Sequence, residues 1–120
     1  MAIQYLLDEH IPLSYRTQLL RRNPSLVVWI IGDPYAPPRG TPDPVILCWC
    51  EDNGFILVTN NRKTMPGHLT DHLAIGRHIP GILILNEHIG IGQILEELLL
   101  IAEASFEDEY QDRIVHLPLP

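Results

Sequence analysis

Three carboxylates stand where they could hold a metal ion: Asp8 and Glu9 in YLLDEHIP, and Asp43 in TPDPVIL. Magnesium and manganese take oxygen ligands, commonly one or two carboxylates completed by water and substrate phosphate. Acids arriving from separate segments would hold such an ion beside a phosphodiester and activate a nucleophile for its hydrolysis. The same residues have a purely architectural alternative. Asp43 before Pro44 has the pattern of a helix N-cap, and Asp8-Glu9 would then be solvated loop acids.

A third polar segment, Thr59-Asn60-Asn61-Arg62-Lys63, leaves the apolar run FILVT. Thr59, Asn60, Arg62 and Lys63 are candidates for substrate binding, the two cations gripping a phosphate. Asn61 could offer a metal an uncharged carbonyl oxygen. Lys63 is the single lysine of the 120 residues. It could instead replace the ion by pairing with Asp8 or Asp43, since a protonated lysine has donors and no acceptor.

Other constellations lead to less. His68 and His72 have the i, i+4 spacing of a zinc-binding helix, but a catalytic zinc needs a third protein ligand and none is suitably placed. They are expected on a polar helix face. His10, beside Asp8-Glu9, could hydrogen-bond an acid or simply be solvated. No Gly-rich phosphate loop occurs, and Ser14, Ser25 and Ser105 lack the glycines of a nucleophile elbow. Cys48 and Cys50 are one residue apart, a spacing that closes no ordinary disulfide, so both are expected as buried reduced thiols. Trp29 and Trp49, inside apolar runs, are expected in the core.

The 120 residues suit one domain spanning 1–120, and 46% hydrophobic residues supply a core. The net charge is −7. Residues 1–85 balance seven acids against seven bases, whereas 86–120 hold eight acids and one base. A broad basic grip on nucleic acid is therefore absent. No apolar run approaches the roughly 20 residues of a membrane span. With no basic leader and no expected disulfide, the cytoplasm is the expected compartment.

The elements that must position these side chains follow from the apolar runs. Short, doubly apolar strands are expected over 2–7, 26–31, 55–59 and 81–85, with a last one near 113–117. Helices are expected from Pro12 to before Asn23, from Asp43 to about Asp52 with a stop at Asn53-Gly54, over 66–76, and along Ile91, Ile94, Leu95, Leu98 and Ala102. Leu99, Leu100 and Ile101 give that last helix more apolar positions than one face needs, for a broad core face or an interaction surface. Residues 32–44 hold five of the eleven prolines and must be a stiff loop. The alternation means an α/β fold, a mainly parallel sheet between helix layers, with ligands at the carboxyl ends of the strands.

YLLDEHIP, the Thr41-Pro42-Asp43-Pro44-Val45-Ile46-Leu47 helix start and FILVTNNRK, in this order, resemble the PIN-like domains of unknown function found beside bacterial antitoxin genes. GRHIPGILIL and Glu107-Asp108-Glu109-Tyr110-Gln111-Asp112 resemble a cyanobacterial branch of that group, so the likeness runs nearly the full length. The resemblance implies a PIN-like three-layer α/β/α sandwich and descent from Mg²⁺- or Mn²⁺-dependent ribonucleases of toxin–antitoxin systems. It implies an RNA substrate, an antitoxin partner and a homodimer, with Asp8 and Asp43 as catalytic acids, Glu9 helping to hold the metal and Asn61 assisting. Typical members read Thr-Asn-Asp-Arg-Asp-Phe after the third strand. Here Asn61 stands for the first of those two acids and Lys63 for the second. The alternative implied is a catalytically inactive PIN-like protein acting as an interaction module.

Overall fold

Every strand of the sheet is four residues long, and β1, β3 and β4 are so apolar because helices cover them on both sides. The computed structural model describes residues 3–86 and 88–119. The elements run β1 (Gln4–Leu7), α1 (Ser14–Arg22), β2 (Val27–Ile30), α2 (Asp43–Asn53), β3 (Ile56–Thr59), α3 (Met65–Ala74), β4 (Ile82–Leu85), α4 (Ile91–Ala104) and β5 (Ile114–Leu117). The strands lie in the order β2-β1-β3-β4-β5, and every neighbouring pair is parallel. This is the α/β architecture that the alternating apolar runs predict, a single sheet between two helix layers.

Strand periodicity sorts the core into two halves. Tyr5, Leu7, Val28, Ile30, Ile56, Val58, Leu83 and Leu85 point to one face, where they pack on Tyr15 and Leu19 of α1 and on Ile94, Leu95, Leu98 and Ile101 of α4. Leu6, Leu57, Ile82 and Ile84 point to the other, against Ile46, Leu47 and Cys50 of α2 and Met65 and Leu69 of α3. Tyr5 Oη donates to Leu98 O at 2.7 Å, tying β1 to α4. Burial, with Tyr110 adding to it, pushes the Tyr5 phenol far above its ordinary range, so it stays a neutral donor.

One connection departs from the usual geometry. The steps from β3 to β4 and from β4 to β5 run the same way across the sheet, yet α3 and α4 cover opposite faces. These two crossovers therefore have opposite hands. The helices α1, α2 and α3 all agree with one hand, and about 98% of such units are right-handed. The β4-α4-β5 unit is the exception. Its physical reason is coverage: α2 and α3 already fill one face, and without α4 the side chains of Val58, Leu83 and Leu85 would face water.

Local chemistry fixes the ends of several elements. Gly54 closes α2 in the left-handed conformation (φ 74°), as the Asn53-Gly54 pair predicts. At Gly81 a Cβ would lie 2.9 Å from Tyr110 Cβ, so only glycine lets the chain enter β4 there. Two expectations are corrected. Trp29 and Trp49 are half-buried and pack on the margin of the core rather than inside it, tilted against Phe55 and each other along the β2 edge, with 4.9 Å between the Trp29 and Phe55 ring centroids. The first helix starts at Ser14, after the expected Pro12, and Leu13 before it is exposed. In α4, Leu99 and Ile101 join the core and only Leu100 is surplus, so the broad core face explains most of that apolar run. Cys48 and Cys50 are free thiols, the first half-buried and the second buried. Among the described residues no helix is long and apolar enough to cross a membrane.

The order of the strands singles out one place. From β1 the chain moves outward to β2, and from β3 it moves the opposite way to β4. Loops diverge between the carboxyl ends of β1 and β3, which opens a crevice there.

Candidate functional site

Asp8 is the first residue past β1, and its N–H still pairs with Val58 O at 2.9 Å. The strand ladder thus sets its backbone, and Thr59 sets its side chain. Thr59 is fully buried; its Oγ1 donates to Asp8 Oδ2 at 2.9 Å and accepts from the Asn61 N–H at 3.1 Å. Asn61 carries the chain of bonds onward. Its Nδ2 donates to Asp43 Oδ2 at 3.1 Å and to Thr64 Oγ1 at 2.6 Å, while its Oδ1 accepts from the Thr64 N–H at 3.3 Å. Because Oδ1 must face that N–H, the amide presents its NH₂, not its oxygen, to Asp43. Asp8, Thr59, Asn61 and Asp43 therefore form one hydrogen-bonded wall built from β1, β3 and α2.

Asp43 reaches this wall because it is not the cap of α2. Pro42 occupies the N-cap, no side chain caps the helix, and Asp43 is its first residue. The N-cap role expected from Asp43-Pro44 is thus replaced: an extended Pro42 turns the carboxylate toward Asn61. His68, from the first half of α3, stands with Nε2 at 3.6 Å from Asp43 Oδ2. Opposite, Glu9 Oε1 accepts from the Gly40 N–H at 3.0 Å. That bond pins the end of the Pro-rich loop, so Gly40, Thr41 and Pro42 become a wall. The cleft between them, about 320 Å³, is lined by Asp8, Glu9, His10, Asp43, Asn60 and Asn61 among others.

The expected site residues divide accordingly. Asp8, Glu9, Asp43, Asn60 and Asn61 meet in the cleft. Thr59 lies behind them and positions Asp8 instead of facing a substrate. Arg62 turns to a neighbouring pocket over the ends of β4 and β5. Lys63 is exposed and makes no ion pair within 4.0 Å among the described residues, so the arrangement in which it replaces a metal is not formed. Thr64, Gly40 and His68 were missed. His68 and His72 look like one pair in sequence, but packing of α3 on α2 separates their fates. Only the tertiary contact of two helices tells them apart.

His72 corrects the expectation of a polar helix face. It is buried, with Nε2 at 3.1 Å from Glu51 Oε1 and 2.9 Å from His78 O. Both partners are acceptors, so Nε2 carries the proton. Around it, at the amino edge of the sheet, Glu51 also accepts from Arg77 Nε at 2.8 Å and from the His78 N–H at 3.1 Å. Arg77 Nη2 donates to Asp52 at 2.9 Å. Asp112, in the left-handed conformation (φ 61°), accepts from the Ile79 N–H at 2.9 Å and meets His78 Nδ1 at 2.7 Å. Burial opposes the charge on Glu51, but the bonds from Arg77 and the His78 amide, with the Arg77 charge, outweigh it and hold its carboxyl below the ordinary glutamate range.

Whether the cleft suits a divalent cation depends on its oxygens. The bonds just described land on Oδ2 of Asp8 and of Asp43, and among the described residues no hydrogen bond reaches either Oδ1. Two carboxylates with a spare oxygen each meet the small protein donor set that Mg²⁺ or Mn²⁺ takes, with water and phosphate supplying the rest. Glu9 spends one oxygen on Gly40. Among the described residues no three His, Cys, Asp or Glu side chains are grouped to hold a metal by themselves. The fit is to a two-carboxylate site.

Comparison with family models, with curated proteins and with solved structures finds no match to this chain.

Proposed function

We propose that the cleft is the site of a PIN-like ribonuclease of toxin–antitoxin type with a reduced acid set, Asp8 and Asp43 binding Mg²⁺ or Mn²⁺ and RNA phosphate as the substrate group. The observation that supports this most is the meeting of two strand- and helix-end carboxylates, each with a spare oxygen, in the crevice where the strand order reverses. A bound ion would supply Lewis acidity toward the phosphodiester. The chain's own residues do the rest. Thr59 and Asn61 fix the two acids, so little reorganisation is needed when an ion or phosphate arrives. Glu9 holds Gly40 and narrows the mouth. His68 places an imidazole beside Asp43, within reach of protons exchanged there.

A second reading draws on the donors themselves. A hydroxyl on Asp8 and an amide on Asp43 partly occupy the acids without a metal, which suits a non-catalytic interaction module for an antitoxin-like protein or a second copy. One set of experiments separates the two. With Mn²⁺ and a labelled single-stranded RNA, the ribonuclease reading expects cleavage that stops on adding EDTA and falls in both Asp8→Asn and Asp43→Asn. Unchanged cleavage in both folded variants, or no calorimetric heat at millimolar Mn²⁺, overturns it and leaves the interaction module.

A further inference from the structure

Beside the acidic cleft, over the carboxyl ends of β3, β4 and β5, lies a second pocket of about 360 Å³. The two share Asn60, so they are compartments of one edge. Its polar lining among the described residues is Asn60, Arg62, Asn86, His88 and His116. Leu85, Ile89, Leu117 and Pro118 supply an apolar side.

The described lining differs in charge from the rest of the molecule. The chain carries −7 overall, with eight acids against one base in residues 86–120. Yet among the described lining residues of this pocket there is one guanidinium, two imidazoles, two amides and no carboxylate. Arg62 is exposed and, among the described residues, pairs with no acid within 4.0 Å, unlike Arg16 and Arg77, which are both ion-paired. His116 is held in place by the β5 register opposite Ile84, and Asn86 by its N–H bond to Leu117 O at 2.9 Å. The His88 N–H bonds to Asn86 Oδ1 at 3.0 Å, which fixes the turn that carries His88. Thus a strand end, the hydrogen-bonded pair Asn86 and His88, and a guanidinium with no ion pair among the described residues surround one cavity.

We infer that this pocket binds a nucleotide, its phosphate on Arg62 and His116 and its base or ribose against Leu85, Ile89 and Pro118. A planar guanidinium matches phosphate oxygens in two parallel bonds. The volume lies within the range of small-molecule sites, and an apolar wall beside converging donors is their usual make-up. The ligand can be a free nucleotide or one unit of an RNA strand, whose next phosphate would then enter the acidic cleft past Asn60. The strand version rests on the ribonuclease reading; the nucleotide chemistry does not.

Binding is measured in EDTA, where no cleavage intervenes, by calorimetry with uridine monophosphate and by anisotropy with a labelled hexauridine. Arg62→Ala and His116→Ala each weaken binding about tenfold, as loss of one charged hydrogen-bond partner does. Both sites are exposed and tolerate truncation. Arg22→Ala, which removes the same charge at the end of α1, leaves the affinity within twofold. Affinity for uridine monophosphate marks a free-nucleotide site, and binding of the hexamer alone marks a strand subsite. Absence of binding by both probes, or equal affinity of wild type, Arg62→Ala and His116→Ala, overturns the inference even where RNA is cleaved. Arg62-dependent binding without any cleavage leaves it standing and overturns the ribonuclease reading alone.

Discussion

At the carboxyl edge of the sheet, Asp8 and Asp43 take hydrogen bonds from a threonine hydroxyl and an asparagine amide. At the amino edge, Glu51 and Asp52 take theirs from Arg77, and Glu51 adds the His78 amide and the buried His72. The second group is electrically closed: a cation sits between two acids, and Glu51 is held ionised by it. The first is ordered but not neutralised. Asp8 and Asp43 have no lysine or arginine partner among the described residues, only His68 beside Asp43, which is the arrangement the proposed cation site requires; Glu51 and Asp52 are already paired. The position in the fold says the same, since ligands of doubly wound sheets gather at the carboxyl ends.

If that contrast is right, acids at the two edges should fail in different ways. The largest expected effect is at the carboxyl edge. Asp8→Asn or Asp43→Asn lowers RNA cleavage by about 100-fold or more, the usual scale for losing a preorganised charge in a catalytic centre. Melting temperature should barely move. A variant that instead loses stability and keeps its rate would erase the distinction.

Next comes Glu51→Ala. Removing an acceptor shared by Arg77, the buried His72 and the His78 amide costs about 1 kcal/mol, because the Arg77 ion pair and one of the two His72 bonds are lost while His72 keeps His78 O. Each kcal/mol lowers the melting point by roughly 4–8 °C for a domain near this size, so differential scanning calorimetry reads it directly. Cleavage of RNA should be unaffected.

Asn61→Asp sharpens the contrast from the other side. A third carboxylate beside Asp43 replaces a donor by a like charge, so the metal-free protein becomes less stable by about 1 kcal/mol. Added Mn²⁺ should restore the loss and bind about tenfold more tightly than in the wild type, measured by calorimetry and by thermal shift. If Mn²⁺ leaves the variant's melting point unchanged, the acids do not share an ion.

The smallest effect is in pH. The Glu51 carboxyl is lowered in the folded state, so its contribution is fully present above the ordinary glutamate range and is lost as the pH falls through the lowered value. Urea unfolding between pH 6 and pH 3 should show a stability decline that is shallower in Glu51→Gln. Parallel curves for the two proteins would remove Glu51 from the network.

Much of this is readable from residue types. FILVT and GILIL are too short and too evenly apolar for anything except strands covered twice, and Asn53-Gly54 marks a helix end by its left-handed requirement alone. LVVWII reads the same way and is a strand, but at the edge of the sheet its Val27 and Trp29 face is only half covered. The Thr59–Lys63 loop was legible as a functional edge because polar residues follow a buried strand. Its internal division was not: Thr59 turns inward, Asn61 bridges, Arg62 turns aside and Lys63 stays in solvent, although all four lie within five consecutive residues. His68 and His72 were misread for a similar reason, since i, i+4 spacing puts two side chains on one helix face without saying what each meets.

The sequence by itself determined the strands, the helices and the polar edge, because periodicity, turn chemistry and chain stiffness act within a few residues. Tertiary structure alone decided which acids share a cleft, that Pro42 and not Asp43 caps α2, that α4 crosses against the common hand, and that a pocket holding Arg62 adjoins the acidic cleft. Those outcomes depend on how two helix layers share the faces of one sheet. That competition for apolar cover joins residues 8, 43 and 61, and no local pattern records it.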